Sequence, residues 1–134
     1  MLRQLSVRNL ALIAELELEF DAGLSVVTGE TGAGKSVLIG ALSLVLGERA
    51  ERDRIRRGAT RCEIAAFFEP PAERLAALAE VLDGAGLPPC EDGQLLMRRL
   101  VTTTGSRCFV NGSAATAQTL RVIGDLLVEV HGPY

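Results

Sequence analysis

A mixed α/β fold is what this sequence predicts, and three observations predict it. Short alternating or β-branched runs are interleaved with stretches that repeat apolar residues at i, i+3, i+4 and i+7. A glycine-rich run, Gly29-Glu30-Thr31-Gly32-Ala33-Gly34-Lys35-Ser36, stands between a β-branched segment and a long apolar one. Two or three strand-like runs precede it and more follow it, so strand and helix do not simply alternate. That order argues for a mixed sheet and against a plain doubly wound one.

The elements read as follows. Leu5 and Val7 alternate with Gln4, Ser6 and Arg8, the pattern of a half-buried strand. Glu15-Leu16-Glu17-Leu18-Glu19-Phe20 alternates more cleanly, with Leu16, Leu18 and Phe20 inward. Asp21-Ala22-Gly23 is a turn, and Leu24-Ser25-Val26-Val27-Thr28 is a short buried strand that runs into Gly29. Residues 37–46, from Val37 to Leu46, are apolar on nearly every face and predict a buried helix. Gly47 is placed to stop it.

Residues 48–61 break the apolar pattern. Arg49, Arg52, Arg54, Arg56, Arg57 and Arg61 fall here, interleaved with Glu48, Glu51 and Asp53. One reading is a solvated loop laced with ion pairs. The other is an arginine loop beside a nucleotide, able to touch DNA phosphates. Cys62 to Phe68 reads as a strand stopped by Pro70-Pro71, with Pro71 suited to a helix start. Leu75, Leu78, Ala79 and Leu82 mark an amphipathic helix, and Gly84, Gly86, Pro88 and Pro89 a loop. Residues 95–101 and 107–110 read as a hairpin around Thr102-Thr103-Thr104-Gly105-Ser106, and Asn111-Gly112 as a tight turn. Residues 116–123 predict a short helix ended by Gly124, and residues 126–130 a buried strand.

Composition excludes several classes. Apolar residues are 48% of the 134, enough for a core, but aromatics are only 4%, so Leu, Val, Ala and Ile must build it. A net charge of −3 does not suit a protein that coats nucleic acid generally. No apolar run reaches membrane-spanning length, and the first residues lack a signal-peptide core. Cys62, Cys90 and Cys108 are odd in number and widely spaced, which suits a reducing cytoplasm and predicts structural thiols rather than a disulfide or zinc framework.

The chemistry lies in residues 29–36. They fit G-x-x-x-x-G-K-[ST] at every fixed position and hold the chain's only lysine, the other thirteen basic residues being arginine. Gly29, Gly32 and Gly34 let the backbone approach phosphates without an intervening Cβ. Glu30, Thr31 and Ala33 contribute backbone N–H groups to the same cradle, and the helix beyond Gly34 adds orphan N–H groups and its positive dipole end. Lys35 would reach the β- and γ-phosphates of ATP, and the Ser36 hydroxyl would ligate Mg²⁺. A Ras-type guanine selector is excluded, because it needs a second lysine. A small P-loop kinase for a metabolite stays open, with the arginine segment as its lid. Glu129 could be read as a Walker B acid, but it sits within a strand pattern rather than at its end.

Val7-Arg8-Asn9-Leu10-Ala11-Leu12-Ile13, the alternating run to Phe20, and Gly23 through Ser36 together resemble the opening of the RecN family of bacterial repair ATPases, relatives of the structural-maintenance-of-chromosomes (SMC) ATPases. The likeness continues at Leu46-Gly47-Glu48-Arg49-Ala50, Arg57-Gly58-Ala59, Phe109-Val110-Asn111-Gly112-Ser113-Ala114 and Leu126-Leu127-Val128-Glu129-Val130-His131-Gly132. It implies an ABC/SMC-type head split between the two ends of a long chain, with residues 1–134 as its N-terminal lobe. The coiled coil and the lobe carrying the signature motif, the Walker B acid and the switch histidine would lie outside this chain. It further implies ATP and Mg²⁺ as cofactors, DNA and a second head (a homodimer) as partners, and a cytoplasmic, nucleoid-associated site of action. Arg56 or Arg57 becomes the arginine-loop candidate, and His131 a structural residue near the nucleotide. Pro133-Tyr134 departs from the family's Gln-His, so the glutamine near Mg²⁺ is missing here. The fragment alone is expected to turn over negligibly.

Overall fold

The computed structural model describes residues 2–19, 32–50 and 54–128, with backbone alone for residues 32–37. Strands β1 (Leu2–Leu10), β2 (Ile13–Glu19), β3 (Arg61–Phe68), β4 (Leu95–Thr102), β5 (Gly105–Val110) and β6 (Ser113–Ala115) form one sheet in the order β2-β1-β3-β4-β5-β6. Every pairing among these strands is antiparallel. Helices α1 (Gly32–Val45), α2 (Leu75–Gly84) and α3 (Ala117–Val128) complete the described fold, with a 3-10 turn at Ala72–Arg74 leading into α2. This is the mixed α/β architecture the sequence predicts. The strand expected at residues 24–28 lies outside the described residues.

Alternation sets each strand's register. In β4 the inward row is Leu95, Met97, Arg99 and Val101, and the pairing places Met97 opposite Ala66 and Val110. Leu5 and Val7 of β1 pair with Ala66 and Ile64 of β3, and all four are fully buried. A one-residue slip would send this whole row to solvent, so burial fixes the register. Leu16 and Leu18 of β2 pack partly against the core, as predicted, while Glu15, Glu17 and Glu19 face out along the sheet edge. Outward charge on an edge strand discourages pairing with another chain.

The helices supply the other half of the core: Ala41, Leu44 and Val45 from α1, Leu78 and Leu82 from α2, and Leu120, Ile123 and Leu127 from α3. α1 packs against β1, β3 and β4, and α3 against β5 and α2. Burial of α1 is one-sided rather than all round: Ile39 remains 63% exposed. A helix laid on one face of a sheet has only one face to bury, whatever its composition.

A second correction concerns the C-terminal segment. The helix predicted to stop at Gly124 continues to Val128, and the strand predicted over residues 126–130 is helical as far as it is described. Leu120, Ile123 and Leu127 lie at i, i+3 and i+7 and are all buried, so helical periodicity runs straight through the glycine. Gly124 marks a close approach instead: a Cβ there would stand 3.2 Å from Leu46 Cδ2. Glu129, Val130, His131 and Pro133 lie outside the described residues.

Candidate functional site: the two ends of α1

Helix α1 starts at Gly32, inside the glycine-rich run, ahead of Gly34, beyond which the sequence places its N-terminus. Gly32, Ala33, Gly34, Lys35 and Ser36 are therefore its first five residues, and no acidic residue falls in the first turn. The first turn of any helix carries N–H groups without intrahelical partners, and the dipole there favours anions. The described backbone thus supplies a helix N-terminus, one part of a phosphate-binding loop. Gly29, Glu30 and Thr31 lie outside the described residues.

The C-terminal end of α1 is closed by a Schellman motif. Gly47 has φ +103°, its N–H donates to Leu44 O at 3.1 Å, and the Glu48 N–H donates to Ser43 O at 3.0 Å. No basic residue of α1 itself lies in the last turn. Two arginines from elsewhere fill that role. Arg99 Nη1 donates to Leu44 O at 2.6 Å and to Glu48 O at 2.8 Å, and Arg121 Nη1 donates to Gly47 O at 3.0 Å. Cations at a helix C-terminus oppose the negative dipole end and satisfy carbonyls that have no helical partner.

The arginine segment is fixed to the β1–β2 turn through its backbone. The Ala11 N–H donates to Arg54 O and the Arg56 N–H donates to Asn9 O, each at 2.7 Å, and Leu10 bridges to Ile55. Asn9 and Ala11 hold positive φ, 57° and 53°, to aim those groups. Arg56, Arg57, Gly58 and Ala59 then form a β-turn with Gly58 at φ +90°. Arg56 and Arg57 are exposed at its tip. Among the described residues, no ion pair joins Arg49, Arg54, Arg56 or Arg57 to a carboxylate. Glu51, Arg52 and Asp53 of the same segment lie outside the described residues.

The three thiols lie in the core or packed against it. Cys62 and Cys108 are buried and Cys90 half-buried, all free. Burial pushes the Cys62 thiol up to about 11, against the opposing pull of Arg54, and it also raises Cys90 and Cys108. Among the described residues no cluster of three or more His, Cys, Asp or Glu could hold a metal.

Sequence reasoning passed over Arg99. The signal is in β4: within Leu95-Leu96-Met97-Arg98-Arg99-Leu100-Val101, Arg99 occupies the inward register, and its cross-strand neighbours are the buried Ile64 and Cys108. A charged residue in the apolar row of an alternating strand marks a buried polar role.

Residues 4–81 match the family model described as AAA domain, and the chain belongs to that family. Over its whole length it is 43% identical to the DNA repair protein RecN of Halalkalibacterium halodurans and 42% identical to that of Bacillus subtilis. The RecN of Vibrio cholerae is 39% identical over the same span. The chain spans about a quarter of the length of these relatives, 23% to 24%. An SMC ATPase, solved in a study of ATP-driven dimerization and DNA stimulated activation, superposes with a TM-score of 0.70 at 23% identity, over 98% of this chain and 80% of that one. The Smc head domain of Pyrococcus furiosus superposes at 0.67 and 19%, over 96% of this chain and 32% of that one. These structures define the fold as that of an ATPase head of the SMC kind, and neither they nor the RecN relatives favour a metabolite kinase.

Proposed function

We propose that this chain is the N-terminal, ATP-binding lobe of a RecN-like ATPase head that acts in DNA double-strand break repair and recombination. One observation carries the reading: a complete G-x-x-x-x-G-K-[ST] motif opens α1 in a chain that belongs to the AAA domain family and is similar throughout to RecN. Backbone N–H groups of residues 29–36 cradle the triphosphate, Lys35 neutralises the β- and γ-phosphates, and Ser36 ligates Mg²⁺. Arg56 and Arg57 face either the nucleotide or DNA. In the parent protein a second head, most simply an identical one, supplies the residues that complete hydrolysis. The setting is the cytoplasm, at the nucleoid.

The test is calorimetric titration of the chain with Mg²⁺-ATP, before and after Lys35→Ala. The variant should bind about tenfold more weakly or worse, a loss of ~1.4 kcal/mol or more, with an unchanged circular dichroism spectrum. Unchanged affinity contradicts a phosphate role for residues 29–36. ADP release by this chain alone should stay near background. A rate matching that of a complete head contradicts the need for a facing lobe.

A further inference from the structure

Away from residues 29–36, at the opposite end of α1, a cavity of about 1100 Å³ opens between the end of that helix, the β4–β5 turn and the first turn of α3. The length of α1, 14 residues, separates the two sites by about 20 Å at 1.5 Å per residue. Three arginines line the cavity, Arg49, Arg99 and Arg121, together with the hydroxyl-bearing residues Thr103, Thr104 and Ser106. Among the described residues no carboxylate lines it.

Arg99 is the telling residue. It is only 2% exposed, and its partners are neutral: Leu44 O, Glu48 O and Ser106 Oγ. A buried guanidinium without an anionic partner is costly, and the dipole end of α1 offsets only part of that charge. Its hydrogen bonds are also lopsided. Nη1 makes both short bonds to carbonyls, Nη2 reaches Ser106 Oγ at a long 3.3 Å, and Nε makes none although it is buried. Nε and Nη2 form one edge of the guanidinium fork, the edge that grips an oxyanion with two parallel bonds. The Nη1 side holds α1, while Nε keeps an unused donor in a residue that lines the cavity.

We propose that this cavity is a phosphate-binding site, in which the under-satisfied guanidinium of Arg99, with Arg49 and Arg121, supplies the charge. The phosphate comes either from a nucleic-acid backbone or from a free phosphate-bearing molecule. The assignment does not depend on residues 29–36.

Two measurements on the 134-residue chain test it. The first titrates inorganic phosphate against chloride at matched ionic strength, following the Arg99 Nε–H and the Thr104 and Gly105 amides by ¹⁵N NMR. Those signals should move saturably with phosphate alone, and equally in Lys35→Ala, which separates this site from the nucleotide loop. The second measures anisotropy of a labelled DNA duplex with Arg49→Gln and Arg8→Gln, which remove equal charge inside and outside the cavity. Arg49→Gln should weaken duplex binding about fivefold or more and lower the salt slope by roughly one, while Arg8→Gln stays within about twofold of the parent. A phosphate response together with that difference places a DNA backbone in the cavity. A phosphate response without it keeps the site and assigns it to free phosphates. If phosphate leaves the Arg99 Nε–H and both amides where chloride does, the proposal is wrong.

Discussion

Gly47 shows how much a single backbone position can demand. Its φ of +103° lies where L side chains rarely go, and a Cβ there would stand 2.5 Å from Arg121 Cγ, 2.7 Å from Ala117 O and 2.8 Å from Arg121 N. Two of those neighbours are backbone atoms that cannot rotate aside. Gly47→Ala should therefore destabilise the fold by about 3 kcal/mol or more in urea unfolding, combining backbone strain with steric displacement of α3. Wild-type stability in that variant would mean that α3 does not rest on the end of α1. The thiols give a second prediction at this scale. Because burial raises Cys62 to about 11, its neutral form is favoured in the folded state. Its stabilising contribution is present below the ordinary thiol pKa near 9 and is lost as pH climbs through about 11. At pH 8 iodoacetamide should modify the half-buried Cys90 first and leave Cys62 and Cys108 intact until the chain unfolds. Peptide mapping after timed alkylation reads the order.

Turns and helix ends explain which elements were legible and which were not. The Asn111-Gly112 turn between β5 and β6 announces itself, because few residues tolerate the positive φ values of 50° and 89° observed there. Asn111 does more than turn the chain: its Oδ1 accepts from the Leu96 N–H at 3.0 Å and its Nδ2 donates to Pro88 O at 2.9 Å, tying the hairpin to the loop after α2. Asn111→Ala should cost about 2–3 kcal/mol, since it loses both bonds and strains the backbone. Asn111→Gly should cost less, because glycine relieves the strain and only the bonds are lost. Thermal melts of the pair separate the two effects, and equal costs would discount the strain. The α3 segment was misread because a short apolar run such as Leu126-Leu127-Val128 carries no period of its own, and Gly124 looks like a stop until Leu46 is seen against it. Thr116 was the better signal: its hydroxyl accepts from the Thr119 N–H at 3.1 Å and caps α3 at its true start.

At the scale of the described molecule, the sheet divides into a protected centre and exposed margins. The mixed α/β class and the glycine-lysine motif were readable from local pattern, as local patterns determine local backbone. Arg99 was not, because its importance depends on α1 ending beside β4, 55 residues away in sequence. β1, β3 and β4 each have strand neighbours on both sides, and Leu5, Val7, Ile64 and Met97 are at 0% exposure. β2 and β6 are the edges of the described sheet. Amide hydrogen exchange should therefore be slowest at those four residues, approaching the global unfolding free energy, and faster by orders of magnitude in the outward residues of β2. The Thr103 and Thr104 amides at the β4–β5 turn should exchange early as well, since the turn stands outside the ladder beside the arginine cavity. Phosphate should slow exchange at the turn without changing the Leu5 or Ile64 rates, because a ligand held at the turn suppresses local opening and not the rare global one. Equal slowing at the core and at the turn would mean that the turn opens only when the whole sheet does, and the division of the sheet into centre and margin would fail.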